Sequence, residues 1–484
     1  MAPRAPADRF LFYAFLALLL WMPLPFGSNV AWAWSLMEAW VFLIAGLWLV
    51  QYYRGKVTLN RPFVRAWPVS ACLLATLLWI VVQALPLPAG ALGQLSPRAL
   101  AIHSTTHSYP SLSLDVHATR QAALQTLAYL LFFCLTLLLV NTRPRIKLLA
   151  QAILVGGVFQ AAYGSLMTLS GLEHGIFIDR QDPAVATGTF INRNHLAGYL
   201  EMCLAAGVGL MLAELSPARA AGWRDSARQL LRTLLGNKAR VRLALVVMVT
   251  GLVLTRSRMG NVAFVASLTG VGCFYLLAVR KLSGRTITFF ASLLVIDLLV
   301  VGNFFGIEKV AQRIQQTSTE PGDRVDTDRD ALAMLRDFPL TGSGAGTFYA
   351  VYPMYTSAVV VTGFTRHAHD DYLQFACEFG LVFAGVLGAV VLASLWTAIR
   401  AQLKRREQLL QGMGFAATMA IVALLIHSAV DFNLQIPANA AMFVVMLALG
   451  WVCRYWDPLA LAPEDRRAGS SVPNPYELPH QYVS

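Results

Sequence analysis

The run LAYLLFFCLTLLLV (residues 127–140) contains no charged residue, and residues 287–301 hold a single charge, Asp297. Such runs decide the fold class. The chain is 57% hydrophobic and only 13% charged over 484 residues. A water-soluble surface needs more charge than that, whereas hydrocarbon accepts an apolar exterior. Backbone groups in lipid must be satisfied within their own segment, so solid apolar runs predict helices. A barrel would alternate apolar and polar residues instead. The expected fold is all-α, a polytopic membrane protein of about twelve transmembrane helices.

These spans are placed at residues 10–26, 36–52, 66–85, 122–140, 148–169, 195–212, 241–254, 262–279, 287–304, 372–399, 413–430 and 438–453. The 372–399 run is long enough to tilt or to protrude. No cleavable signal peptide is evident, and the first run reads as a retained helix. Lysines and arginines gather in alternate connections: Arg54, Lys56, Arg61 and Arg65; Arg143, Arg145 and Lys147; Arg219 through Arg242; Arg280, Lys281 and Arg285; Arg400 through Arg406. The positive-inside bias makes these cytoplasmic, together with both termini. Residues 224–235 carry apolar side chains on one helical face and arginines on the other, as a surface-lying helix would. Topology and anionic headgroups thereby account for most of the net charge of +12, and nucleic acid need not be invoked. The bilayer is the expected partner. Six cysteines lie in or beside apolar runs without metal-ligand spacing and read as small packed residues.

Four regions follow: N-terminal transmembrane helices (1–304), a large outer loop (305–371), C-terminal transmembrane helices (372–456) and a disordered cytoplasmic tail (457–484). The outer loop is too long for a plain connection, which points to function or partial order. It ends in TRHAHDDYLQ (residues 365–374), which holds His367, His369, Asp370 and Asp371 at the entry to a membrane helix. Two further polar stretches reach the same side. FINRNHLAGYL (190–200) puts Arg193 and His195 at a helix start, after Asn192 as N-cap. TRSRMGN (255–261) puts Arg256 and Arg258 in a tight turn. These arginines run against the topological bias. Ionisable residues at a membrane edge are costly and are functional candidates by default. Helix starts also present free N–H groups to an anion. The plainer alternative has the arginines reaching outer headgroups or pairing with Glu201, Glu378 or Asp431, and His195 as an ordinary interfacial histidine. An imidazole such as His369 can act as a general base near neutral pH, with Asp370 or Asp371 orienting it; the alternative is a pair of solvated loop histidines.

GDRVDTDRDALAMLRDFPLTGSGAGTF (322–348) imitates the start of a calcium loop, but Ala331 replaces the glycine and Asp337 stands where a bidentate Glu belongs. It reads better as a short helix with an acidic first turn, capped near Thr327 and stopped before Pro339. GSGAG lacks the Lys-Ser/Thr of a phosphate loop and reads as a flexible turn.

That same run, followed by HAHDDYLQFACEFG (367–380), resembles the signature region of the O-antigen ligase and O-antigen polymerase superfamily. GTFINRNHLAGYLEM (188–202), TRSRMGN, HSAVDFNLQIPANA (427–440) and SLSLDVHATRQAALQ (111–125) resemble further blocks of it, in the family's order. The resemblance implies a bacterial inner-membrane glycosyltransferase with its active site facing the periplasm. The donor is a glycan on undecaprenyl pyrophosphate. The acceptor is lipid A–core in ligases, or another lipid-linked glycan in polymerases. A related branch glycosylates proteins. It also implies His369 as the catalytic base, with Arg193, Arg258 and Arg324 on the pyrophosphate. His367, Asp370, Asp371, Arg256 and His195 then support the site. The family usually has His-Asn where this chain has His369-Asp370.

Arginine forks suit phosphate oxygens, so neither a metal nor any other cofactor is expected. The outcome would be metal-independent, inverting transfer. A lipid-linked glycan flippase or transporter is the rival class; it would place its charges near the bilayer midplane, often in repeated halves. Here the charges sit at one face and no repeat is visible.

Overall fold

The computed structural model describes residues 7–106, 109–171, 182–214, 237–279, 287, 290–292, 295, 322–356 and 367–457. Among these residues all regular structure is helical; one isolated β-bridge joins Pro86 and Ser111. In chain order the helices are α1 (Arg9–Trp21), α2 (Ala31–Tyr53), α3 (Arg61–Arg65), α4 (Trp67–Gln83), α5 (Ala89–Leu95), α6 (Pro97–Thr106), α7 (Val116–Leu139) and α8 (Arg143–Leu169). They continue with α9 (Arg193–Glu214), α10 (Asn237–Leu254), α11 (Arg258–Ala278), α12 (Gly322–Asp337), α13 (Phe348–Val351), α14 (Asp371–Lys404), α15 (Gln408–His427) and α16 (Pro437–Tyr455).

Eight of them, α2, α7, α8, α9, α11, α14, α15 and α16, are long and apolar enough to cross a membrane, so the protein is a multi-pass membrane protein. α1 and α4 are apolar but shorter. α10 spans the expected 241–254 segment. The expected 287–304 span lies largely outside the described residues, as do the 224–235 surface helix and most of the tail.

Helix starts follow local chemistry. Asn60, Asp115, Thr142, Ser257 and Asp370 each accept a backbone N–H of the turn they precede, which satisfies one of its orphan donors. α9 is the axial helix, buried along almost its whole length. Small residues let its neighbours approach: a Cβ on Gly209 would strike the Gly412 carbonyl of α15. Such close backbone contact substitutes for the hydrophobic drive that lipid cannot supply. The cysteines are free; five are buried or partly buried, but Cys273 is exposed on α11, so not all of them are packed.

At one end of the bundle the two longest connections fold together. Leu92 and Leu112 share an apolar cluster with Met334, Phe338, Phe348 and Cys377. Asp337 clasps this cap, accepting from the Tyr355 hydroxyl at 2.7 Å and pairing with Arg98 at 3.1 Å. α12 ends at Asp337, before Pro339 as expected, but starts at Gly322, so Thr327 is a buried interior residue and not its cap.

GSGAG is neither a phosphate cradle nor a loose turn. α14 breaks at Gly380 (φ 78°), which leaves the Cys377 and Glu378 carbonyls free of the helical ladder. Ser343 N donates to the first at 2.9 Å and Gly344 N to the second at 3.2 Å. The Glu378 carboxylate accepts from Gly346 N (2.9 Å) and Phe348 N (3.2 Å). Gln83 closes the knot: its Nε2 donates to the Thr341 and Glu378 carbonyls, and its Oε1 accepts from Ala345 N. A Cβ on Gly342 would overlap the Glu378 carbonyl, and one on Gly380 the Leu340 carbonyl, so both strands of this knot require glycine. The break also answers the length of the 372–399 run, because its first turns belong to the cap and only the remainder is a span.

At the opposite end a buried, two-pronged ion pair joins Arg145 to Asp8 at 2.7 and 2.9 Å. There Arg405 donates to the Cys453 carbonyl, and Trp456 Nε1 to that of Asn141.

Candidate active site at the histidine end

α9, α11, α14 and α16 all begin at the end of the bundle that carries the cap, and α15 finishes there. The connection from His427 to Pro437 crosses this end and carries Phe432 into its centre. Three imidazoles surround that ring. His367 stacks on it at 4.5 Å and 22°. His195 meets it edge-on at 4.7 Å and 73°, and His369 edge-on at 4.7 Å and 77°. Residues from three remote parts of the chain thus share one aromatic wall.

Each histidine is held differently. His367 Nδ1 lies 3.2 Å from Gln374 Nε2, so Gln374 donates and the proton of a neutral His367 sits on Nε2. Gln374 also accepts from Ala368 N at 3.1 Å and reaches Glu378, linking the histidine segment to the glycine knot. His195 is 4% exposed, and its Nε2 stands 4.0 Å from Asp431. His369 has φ 55°, the left-handed region that a non-glycine residue occupies at a cost. Among the described residues only Phe26, Ser28, Arg256 and His369 do so without being glycine, and two of these four are site candidates. Strain of this kind is a pointer toward function.

The two aspartates after His369 have separate tasks. Asp370 caps α14, accepting from Leu373 N at 3.0 Å. Burial pushes its carboxyl above the ordinary range, against the opposing pull of the Leu373 and Tyr372 amides. Asp371 is 1% exposed and fastens α14 to the crossing connection. Its carboxylate accepts from the Ser428 hydroxyl (2.8 Å), Leu434 N (3.0 Å) and Gln435 Nε2 (3.3 Å), while its own N–H donates to the Ser428 carbonyl.

Arg193 opens α9 two residues before His195, and Arg258 opens α11 behind the Ser257 cap. A Cβ on Gly260 would touch Ala197, so these two helix starts are neighbours. Arg193, Arg256 and Arg258 are all exposed. The carboxylates offered as their plain partners are engaged elsewhere. Glu201 pairs with buried His427 at 2.8 Å, Glu378 holds the glycine knot, and Asp431 accepts from Asn194 Nδ2. Asn192 accepts from Asn194 N, as an N-cap does. The Arg324 side chain lies outside the described residues. Among the described residues no three His, Cys, Asp or Glu side chains are grouped to hold a metal ion.

Composition pointed to the histidines, the arginines and the aspartates, but not to Phe432, Gln374 or the His427–Glu201 pair. One signal was present. HSAVDFNLQIPANA keeps six polar residues between two apolar spans, and buried polarity at a membrane edge asks for a purpose.

Residues 243–384 match a family model described as O-antigen ligase. The matched part holds α11, the GSGAG side of the glycine knot with Glu378 and Gly380, and the start of α14, and with them Arg256, Arg258, His367, His369, Asp370 and Asp371; Gln83 lies outside it. Arg193, His195 and Phe432 lie outside it. No curated protein matches the chain.

Proposed function

We propose, from the chain's membership of the O-antigen ligase superfamily, that it transfers a glycan from a polyprenyl pyrophosphate to an acceptor sugar hydroxyl, lipid A–core, at the histidine end of the bundle. One observation carries this reading most. His369, held at φ 55° against Phe432, stands at the end where Arg193 and Arg258 open adjacent helices.

In this reading His369 takes the proton of the acceptor hydroxyl. The acceptor oxygen attacks the anomeric carbon from the face opposite the leaving group. The bond from that carbon to the pyrophosphate oxygen breaks, its electron pair stays on the phosphate, and the anomeric centre inverts. Arg193, Arg258 and Arg324 take up the growing negative charge, with Arg256 beside them. Guanidinium forks match phosphate oxygens, and a membrane edge strengthens the attraction by lowering the dielectric. His367 and His195 complete the wall that fixes His369. Asp370 and Asp371 hold the helix start on which it rides. The site faces the periplasm in this scheme, and the polyprenyl tail stays in the inner membrane.

The test is transfer by the purified protein from an undecaprenyl-pyrophosphate glycan, offered lipid A–core or a second lipid-linked repeat. Product on lipid A–core supports the ligase reading. Product only on the second repeat replaces it with a polymerase. Movement of intact donor across vesicles without transfer would overturn both in favour of a flippase.

A further inference from the structure

The end of the bundle remote from the histidines carries a second arrangement that glycan transfer does not use. A cavity of about 700 Å³ lies in the elbow between α3 and α4, against the last turns of α16. Arg61 and Arg65, one helical turn apart, line it together with Trp67, Trp451 and Tyr455. The Trp451 and Tyr455 rings stack at 5.7 Å. Arg61 pairs with Asp457 at 2.8 Å on its far side, whereas no carboxylate pairs with Arg65 among the described residues. A smaller cavity of about 240 Å³ adjoins, sharing Leu59, Asn60 and Arg61 and adding Lys56. Among the described residues Lys56, Arg61 and Arg65 therefore face one anion, Asp457; the other acid there, Asp8, is paired with Arg145.

The apolar parts of this elbow are exposed. Trp67 is 67% exposed, Val64 53% and Leu59 43%. Exposed tryptophan at the start of an apolar helix marks the level where hydrocarbon meets headgroups. The elbow thus offers cations and the exposed Trp67 ring at that level, with exposed apolar side chains directly below along α4, Leu74 and Leu78 among them. A soluble anion would use only the upper half. A glycerophospholipid uses both.

We infer that this elbow is a binding site for one anionic glycerophospholipid, its phosphodiester on Arg61 and Arg65 and its acyl chains along the exposed face of α4. Basic pockets between membrane helices recognise acidic headgroups by this combination.

The test uses the delipidated full-length chain in detergent. Melting temperature is measured against phosphatidylglycerol, phosphatidylcholine and soluble glycerol phosphate, and retained lipid is counted by native mass spectrometry. Phosphatidylglycerol is expected to raise the melting temperature saturably, above any rise from the other two. Arg61→Gln with Arg65→Gln should weaken it about tenfold, and Arg65→Lys should keep most of it. Equal response to phosphatidylcholine, or an unaltered response in the double variant, overturns the site. An equal response to glycerol phosphate overturns its assignment to a lipid. No glycan enters the assay, so its failure is separate from that of the transferase reading.

Discussion

His369 meets the ring of Phe432 edge to face, at 4.7 Å and 77°. Two further imidazoles bear on the same ring, so the wall and the proposed base are one mechanical unit. His369→Ala is expected to lower transfer by about 100- to 10,000-fold, the range for a lost general base. Phe432→Leu should lower kcat by about 100-fold, as misplacement of a catalytic group does, with KM little changed. Phe432→Tyr should keep most of the rate. Steady-state kinetics of the purified variants check this; full activity in His369→Ala removes the assigned base.

Arg193 and Arg258 stand exposed at neighbouring helix starts. Lysine keeps the charge but loses the planar fork. Each Arg→Lys variant should therefore retain only part of the wild-type kcat/KM, and each Arg→Ala variant less still. Unchanged kinetics in both lysine variants would return these side chains to outer headgroups.

Asp370 caps α14 with a carboxyl that burial disfavours in its charged form. Asparagine caps equally well without the charge. The sign follows from the raised folded value: the wild type is favoured below the ordinary carboxylate range and loses that advantage as pH rises through the raised one. Asp370→Asn should therefore match or exceed wild-type stability at pH 7, with the gap closing toward acid. Asp370→Ala should cost about 1 kcal/mol. Melting curves from pH 4 to pH 8 decide; a less stable asparagine variant at pH 7 would show that the charge itself is needed.

The glycine knot predicts a steep local penalty. Gly342→Ala adds a Cβ at φ 67°, facing the Glu378 carbonyl. Backbone strain alone should cost about 1–3 kcal/mol, with a lower melting temperature. Gly385→Ala, inside α14 and open to space, is the control; it should gain up to about 1 kcal/mol. Equal stability of the two variants would show that the knot yields.

Transfer should survive excess EDTA. Of the acidic residues of α12, Asp326 is exposed and Asp330 buried, and the arginines reach the site's end of the bundle. Strict dependence on added magnesium or manganese, restored by titration, would move the function to the aspartates.

Composition and apolar run length were enough for the all-helical membrane fold, because hydrocarbon tolerates only self-satisfied backbone. The start of α9 was legible too, since a cap such as Asn192 and its donor lie within three residues of each other, but that of α12 was not: it begins at Gly322, ahead of Thr327. His369, Arg193 and Arg258 stood out as charges that a membrane edge makes costly. What local sequence could not reveal is which distant pieces meet. Phe432 is an ordinary aromatic until its connection crosses the bundle between His195 and the 367–369 segment. GSGAG reads as a turn until the break at Gly380 frees two carbonyls for its amides. Both depend on pairings between residues far apart in the chain, which sequence spacing does not encode and only the packing of α9, α14 and α15 decides.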